Sequence, residues 1–193
     1  ELILVAQDVT RYGIDFDGKS HLVELVDALS QMDFDLIRLL YLEPEAIDDS
    51  IIDMIVSNPK VAKYADVPLQ HIDGDTLKRM GRRTNQQQLR DMIDKLHKEI
   101  PDICLRTTLI TGFPGETQED HEELMQFVDD MEFDRLGVFT YSQEEDTPAA
   151  LMPEQIGEEV KLKRQQELME LQQTLKKVFK GKNGRSVVYC QSS

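Results

Sequence analysis

Leu105-Arg-Thr-Thr-Leu-Ile-Thr-Gly-Phe-Pro-Gly-Glu-Thr117 joins an apolar run rich in β-branched residues to a Gly/Pro turn and a Thr placed to open a helix. The run reads as a strand over residues 103–110, and the 3.6-residue period after it reads as a helix over 118–131. The same alternation extends on both sides. Upstream, strands are expected at 2–6, 36–42 and 66–70, with helices at 21–32, 47–56, a small one from 76, and 86–100, ended by Pro101. Downstream, a strand at 135–141 leads into a long helix over 154–179. Five βα units predict an α/β chain: an open, partial TIM-type barrel with parallel strands at the centre and helices outside.

With 193 residues, 40% of them hydrophobic and 31% charged, the chain has the composition of a soluble globular protein that needs no disulfide to fold. No apolar run approaches the roughly 20 residues of a membrane helix, so a membrane partner is excluded. A net charge of −15 repels a phosphate backbone and favours a basic partner. Two cysteines, Cys104 and Cys190, make neither a disulfide framework nor a full ligand set for zinc or an iron–sulfur cluster, which suits a reducing compartment such as the cytoplasm. Residues 1–180 read as one core domain. A basic cluster from Lys176 to Arg185 precedes residues 181–193, read as a tail or linker.

In a parallel βα barrel the loops at the carboxyl ends of the strands share one mouth. There the chain carries Gln7 and Asp8, Glu43, Gln70 and His71, Thr111 and Gly112, and Tyr141 and Ser142. The turn after residue 110 is neither a Walker loop nor a dinucleotide fingerprint. Gly112 and Gly115 permit positive φ and close backbone approach, and Thr117 with Asp120 resembles a capping box. A tight structural turn and a ligand site are both consistent with it. His21, His97 and His121 sit among charged helical residues and read as solvated, whereas His71 follows a strand and is a site candidate. Arg106, inside an apolar strand, must either face the mouth, where it would suit a carboxylate, or be paired. The methionines read as packing, and Cys104 as a small buried hydrophobe.

Six blocks carry a resemblance: Ile3-Leu-Val-Ala-Gln-Asp-Val-Thr-Arg-Tyr-Gly13, Ile37-Arg-Leu-Leu-Tyr-Leu-Glu-Pro44, Val67-Pro-Leu-Gln-His71, Lys78-Arg-Met-Gly-Arg-Arg83, the Leu105 to Thr117 segment, and Phe133-Asp-Arg-Leu-Gly-Val-Phe-Thr-Tyr-Ser142. Over residues 1–172 the chain resembles the core domain of the radical S-adenosylmethionine (AdoMet) methylthiotransferases. Within that family it resembles the RimO branch, which modifies an aspartate of small-subunit ribosomal protein S-twelve. The tRNA-modifying MiaB branch usually has Gly-Gln-Asn where this chain has Ala6-Gln7-Asp8, and Gln-Ser where it has Gln70-His71.

The resemblance implies AdoMet and two 4Fe-4S clusters in the intact enzyme, an electron donor, and a 5′-deoxyadenosyl radical. That radical would take a hydrogen from the aspartate β-carbon before sulfur and a methyl group are added. It further implies that Thr111, Gly112, Gly115 and Glu116 hold the adenosine region, that Arg106 and Thr107 face the polar groups of AdoMet, and that Gln7, Asp8, Gln70 and His71 line the radical's cavity. Tyr141 and Ser142 would close the remaining side. On this reading Gly112→Val should weaken AdoMet binding more than it lowers stability. The family's Cys-x3-Cys-x2-Cys motif is absent, as are the amino-terminal methylthiotransferase domain and the carboxyl-terminal TRAM domain. The first βα unit is therefore expected to precede Glu1, and this chain by itself is expected to be inactive. A tRNA adenosine methylthiotransferase and a non-catalytic barrel gripping a basic protein are the two other readings.

Overall fold

Strand β4 (Cys104–Thr111) alternates half-exposed and buried side chains without a break, so one of its faces meets helices and the other looks into an open concavity. The computed structural model that shows this describes residues 1–183, with side chains to residue 175. β4 lies parallel between β3 (Tyr64–Asp66) and β5 (Arg135–Thr140), with Asp66, Arg106 and Arg135 in register. β1 (Leu2–Leu4) and β2 (Ile37–Leu39) form a second parallel pair. An Ile37–Val61 bridge and a 2.8 Å hydrogen bond from Leu42 N to Asp66 O join that pair to β3. The spatial order thus follows the chain order and never reverses. A singly wound sheet of this kind has no switch point and curls toward a barrel. Its outer strands β1 and β5 do not pair with each other, and the expected open, partial barrel is what is observed.

The helices are α1 (Ile14–Asp17), α2 (Leu22–Ser30), α3 (Asp49–Ser57), α4 (Gly74–Arg79), α5 (Gln86–Glu99), α6 (Gln118–Met131) and α7 (Glu158–Asn183). Leu105, Leu109, Leu136 and Val138 face outward from the sheet into a core shared with Ile93 and Leu96 of α5, Leu124 and Phe127 of α6, and Leu168 of α7. Each such side chain, fully buried, contributes about 1.5–3 kcal/mol. Capping boxes open α5 (Asn85 with Gln88) and α6 (Thr117 with Asp120), the second as the sequence predicts. No helix among the described residues is long and apolar enough to cross a membrane.

Several elements differ from expectation. The strand expected at 66–70 lies two residues earlier, because Pro68 has no N–H for the ladder. After Val67 N donates to Arg106 O, the chain leaves β4 and rejoins it only at a Gln70–Leu109 bridge, with Gln70 at φ +69°. The last helix starts after Gly157 rather than at 154. It continues through Asn183, past the expected start of the tail at 181, and the rest of that tail lies outside the described residues. His121 is buried rather than solvated, because α7 packs over it, and Cys104 is half-buried because it lies on the concave side of β4.

Candidate functional site

Backbone hydrogen bonds bring three strand exits together at the carboxyl rim. Gln70 N donates to Thr108 O (2.9 Å), Ile110 N to Gln70 O (2.7 Å) and Tyr141 N to Thr111 O (2.9 Å). Gln70, His71, Thr111, Gly112, Tyr141 and Ser142 therefore share one rim. Val9 N donates to Tyr41 O (3.2 Å), tying the exit of β1 to that of β2. Gln7 is exposed there, while the Asp8 carboxylate accepts from Thr10 N (2.9 Å) and from the Thr10 hydroxyl, capping a turn at Val9–Arg11. Ser142 is exposed, with its hydroxyl 3.3 Å from the Glu144 carboxylate.

The turn after β4 is closed on itself. The fully buried Glu116 carboxylate accepts from Gly112 N (2.5 Å), Phe113 N (3.2 Å), the Thr111 hydroxyl (3.2 Å) and Arg164 Nη1 (3.0 Å), and Arg164 also donates to Glu116 O (3.1 Å). A buried carboxylate is stable only with this kind of saturation. Gly112, at φ +75°, is approached not by open space but by the Lys161 stem, which a Cβ would strike. Lys161 Nζ in turn donates to Tyr141 O (2.9 Å) and to the Glu158 carboxylate (2.6 Å). Gly115, at φ +79°, donates to Glu154 O (3.1 Å). A close approach at Gly112 is made by the chain's own helix, so a side chain placed there would collide with Lys161.

Two groups on the exits that flank β4 remain unspent. His71 is fully buried, and its Nδ1 accepts from Asp73 N (3.0 Å), which leaves the proton on Nε2. That Nε2 has no hydrogen-bond partner, lying 3.9 Å from Glu116 Oε2. Burial holds the imidazole below its ordinary value, against the opposing pull of the Glu116 charge, so the ring is neutral at pH 7. The buried Tyr141 hydroxyl likewise lacks a partner, with its ring edge-on to Phe113 at 5.1 Å. An unpartnered N–H at the β3 exit and an unpartnered O–H at the β5 exit, on either side of the β4 turn, are what a polar ligand would complete.

Arg106 and Thr107 are not at the rim. They lie five residues or fewer before Thr111, about 13–16 Å down the strand, and point to opposite faces. Arg106 Nη1, on the half-exposed face of β4, pairs with the buried Asp66 carboxylate at 2.7 Å. Burial, followed by the Asp66 charge, pushes the adjacent Tyr64 phenol up to about 12. Thr107 is buried and donates to Val67 O (2.8 Å). Sequence reasoning missed Lys161 and Arg164 altogether. Their signal was available, since Lys161, Arg164, Leu168 and Gln172 repeat at one-face spacing on α7 and all four are buried.

No grouping of His, Cys, Asp and Glu among the described residues suits a metal ion. Cys104 sits at the end of β4 away from the rim, and burial, aided by the Asp134 charge, pushes its thiol up and away from the thiolate a metal requires. The residues described do not fit an iron–sulfur cluster.

The Radical SAM superfamily model matches residues 7–128, which spans four of the five strand exits. The chain belongs to this superfamily. Membership of this superfamily implies AdoMet and a 4Fe-4S cluster as cofactors. Curated relatives named ribosomal protein uS12 methylthiotransferase RimO include those of Lachnoclostridium phytofermentans, 59% identical over 174 residues, and Pelobacter propionicus, 52% identical over 176. The matches cover 90% and 91% of this chain but 40% and 39% of those relatives, so the chain spans about two-fifths of their length. Among solved structures, Escherichia coli coproporphyrinogen III oxidase (HemN), a radical SAM enzyme, aligns with a TM-score of 0.65 at 18% identity, covering 80% of this chain and 37% of that one. Methanocaldococcus infernus Elp3 aligns with a TM-score of 0.55 at 13% identity, covering 89% and 44%. These two likenesses establish the fold.

Proposed function

We propose that this chain is the AdoMet-binding core of a methylthiotransferase that adds sulfur and a methyl group to the β-carbon of an aspartate in ribosomal protein uS12, in the cytoplasm. The observation that carries the reading is 59% identity over 174 residues to a relative of that name. The unpartnered His71 Nε2 and Tyr141 hydroxyl, on the two exits that flank β4, support a polar ligand at the same rim. AdoMet would be held there by Gln7, Gln70, His71, Tyr141 and Ser142. Asp8, Thr111, Gly112, Gly115 and Glu116 would shape the loops around it from behind. When bound, AdoMet supplies hydrogen-abstracting chemistry and the methyl group. The neutral His71 ring offers one N–H from a dry environment, which orients a ligand acceptor without adding charge. Arg106 and Thr107 brace the strand below. Cluster ligands and the contact with an electron donor would come from chain outside these residues, and residues 1–193 alone would be inactive.

The test uses the full-length protein, its clusters reconstituted without oxygen, incubated with AdoMet, a reductant, and either ribosomal small subunits or tRNA. A methylthio group on a uS12 aspartate, found by mass spectrometry, supports the reading. Modification of a tRNA adenosine instead would assign the chain to the other branch. Modification of neither would leave a barrel that binds without turnover.

A further inference from the structure

We propose that the groove between α6 and α7 is a docking site for a basic polypeptide segment and seats an arginine or lysine side chain from it. The proposal rests on the reading above and names a recognition surface for its protein substrate. The groove, about 470 Å³, runs along the α6 stripe Gln118, His121, Glu122, Met125 and Asp129, with Glu167 and Leu171 of α7 as the opposite wall. It starts one residue after Thr117, beside the turn that Glu116 closes, and so adjoins the rim.

His121 carries the argument. The residue is 1% exposed, and its Nε2 lies 2.9 Å from Glu167 Oε2. A carboxylate partner fixes the Nε2 proton, so Nδ1 of the neutral ring is a bare acceptor, and that atom is buried without a partner. An unsatisfied acceptor in a groove also lined by the carboxylates of Glu122, Asp129 and Glu167 calls for a donor-only, cationic group. Met125 and Leu171 supply apolar wall for the aliphatic stem of such a side chain. The competing cation among the described residues is Lys163, 3.6 Å from Glu167 Oε1 and mostly exposed, while Glu122 accepts there from the neutral Gln118 amide at 3.1 Å. Residues 118–131 hold six carboxylates and no lysine or arginine, so the α6 side of the groove is negative.

The experiment titrates the chain with a short synthetic peptide of alternating arginine and glycine at about pH 8, above the ordinary histidine range. Calorimetry gives the affinity, and nitrogen-15 NMR follows the His121 ring. Saturable one-site binding is expected, with a shift of the Nδ1 resonance. Affinity should fall about tenfold or more in Glu122→Gln/Asp129→Asn and stay unchanged in Asp91→Asn/Asp94→Asn, which removes the same charge from the exposed face of α5. Equal weakening in both variants would reduce the effect to general attraction and overturn the proposal, as would absence of binding or an unmoved Nδ1 signal. Self-association of the chain that disappears in the α6 variant would also overturn it, assigning the groove to the basic Lys176–Arg185 stretch of a second copy. Methylthiolation by the full-length enzyme is measured in parallel. Loss of peptide binding with uS12 still modified sinks the groove alone, and peptide binding with no modification sinks only the functional reading.

Discussion

The exits of β3 and β4 lie side by side, yet they have opposite characters. At the end of β4 the carboxylate of the conspicuous Gly112–Glu116 turn is saturated, with Glu116 held by two backbone N–H groups, a hydroxyl and a guanidinium. At the end of β3 a plainer dipeptide, Gln70-His71, leaves a buried N–H with no acceptor. A motif that stands out in sequence can do so because it braces the fold, and an inconspicuous residue can be the one left open. Glycine and a buried carboxylate are constrained by their own chain, whereas the unsatisfied donor carries a cost that only a ligand or water relieves.

The largest effect is expected from Glu116→Ala. It strands the Arg164 guanidinium in the interior and removes the acceptor for Gly112 and Phe113, at a cost of about 3–5 kcal/mol in chemical denaturation. Wild-type stability in this variant would end the claim that the β4 exit is closed by its own charge pair. Gly112→Val should cost about 2–4 kcal/mol, since it combines a positive-φ site with a collision against Lys161. A variant that keeps its stability but binds AdoMet poorly in the full-length enzyme would return Gly112 to the ligand. Arg106→Leu should cost about 2 kcal/mol, less than a fully buried pair, because the Arg106 side chain keeps 30% of its exposure while Asp66 has almost none.

His71 gives a pH signature. Its folded value is depressed by burial, so the unfolded chain takes up the proton first as pH falls. Its contribution to stability is complete above about pH 6.5 and is lost as pH drops below that value. His71→Asn should flatten the fall in melting temperature between about pH 7 and pH 5, and an unchanged slope would mean that the ring is not held neutral. The smallest effect is expected from Tyr141→Phe, which removes an unpartnered hydroxyl and should alter stability by no more than about 0.5 kcal/mol. AdoMet affinity in the full-length enzyme should nonetheless decrease, and unchanged affinity would strike Tyr141 from the proposed ligand set.

The helices were legible because their apolar period is local, as in Leu89, Ile93 and Leu96 on α5, and because Asn85 and Thr117 announce their starts. The strands were legible in number but not in extent. Ladder pairing decides where a strand ends, and Pro68 shows that one missing N–H moves the boundary. The rim was half legible. Gln70, His71 and Tyr141 could be placed at strand exits by counting, but their partners belong to residues up to forty positions away. Arg106 stood out because a cation in an apolar strand needs an anion, and only the ladder register shows that Asp66 across from it supplies one.

The sequence by itself determined the parallel α/β class, the five repeating units and the family, because alternation and blocks of identity are properties of the chain read in order. Only the tertiary structure decided which polar groups are spent. Lys161 and Arg164 reach the β4 exit from a helix that begins more than forty residues after it, and His121 is buried because Glu167 crosses over it. Satisfaction of a buried charge is a matter of distance in space, and no local pattern along the chain encodes it.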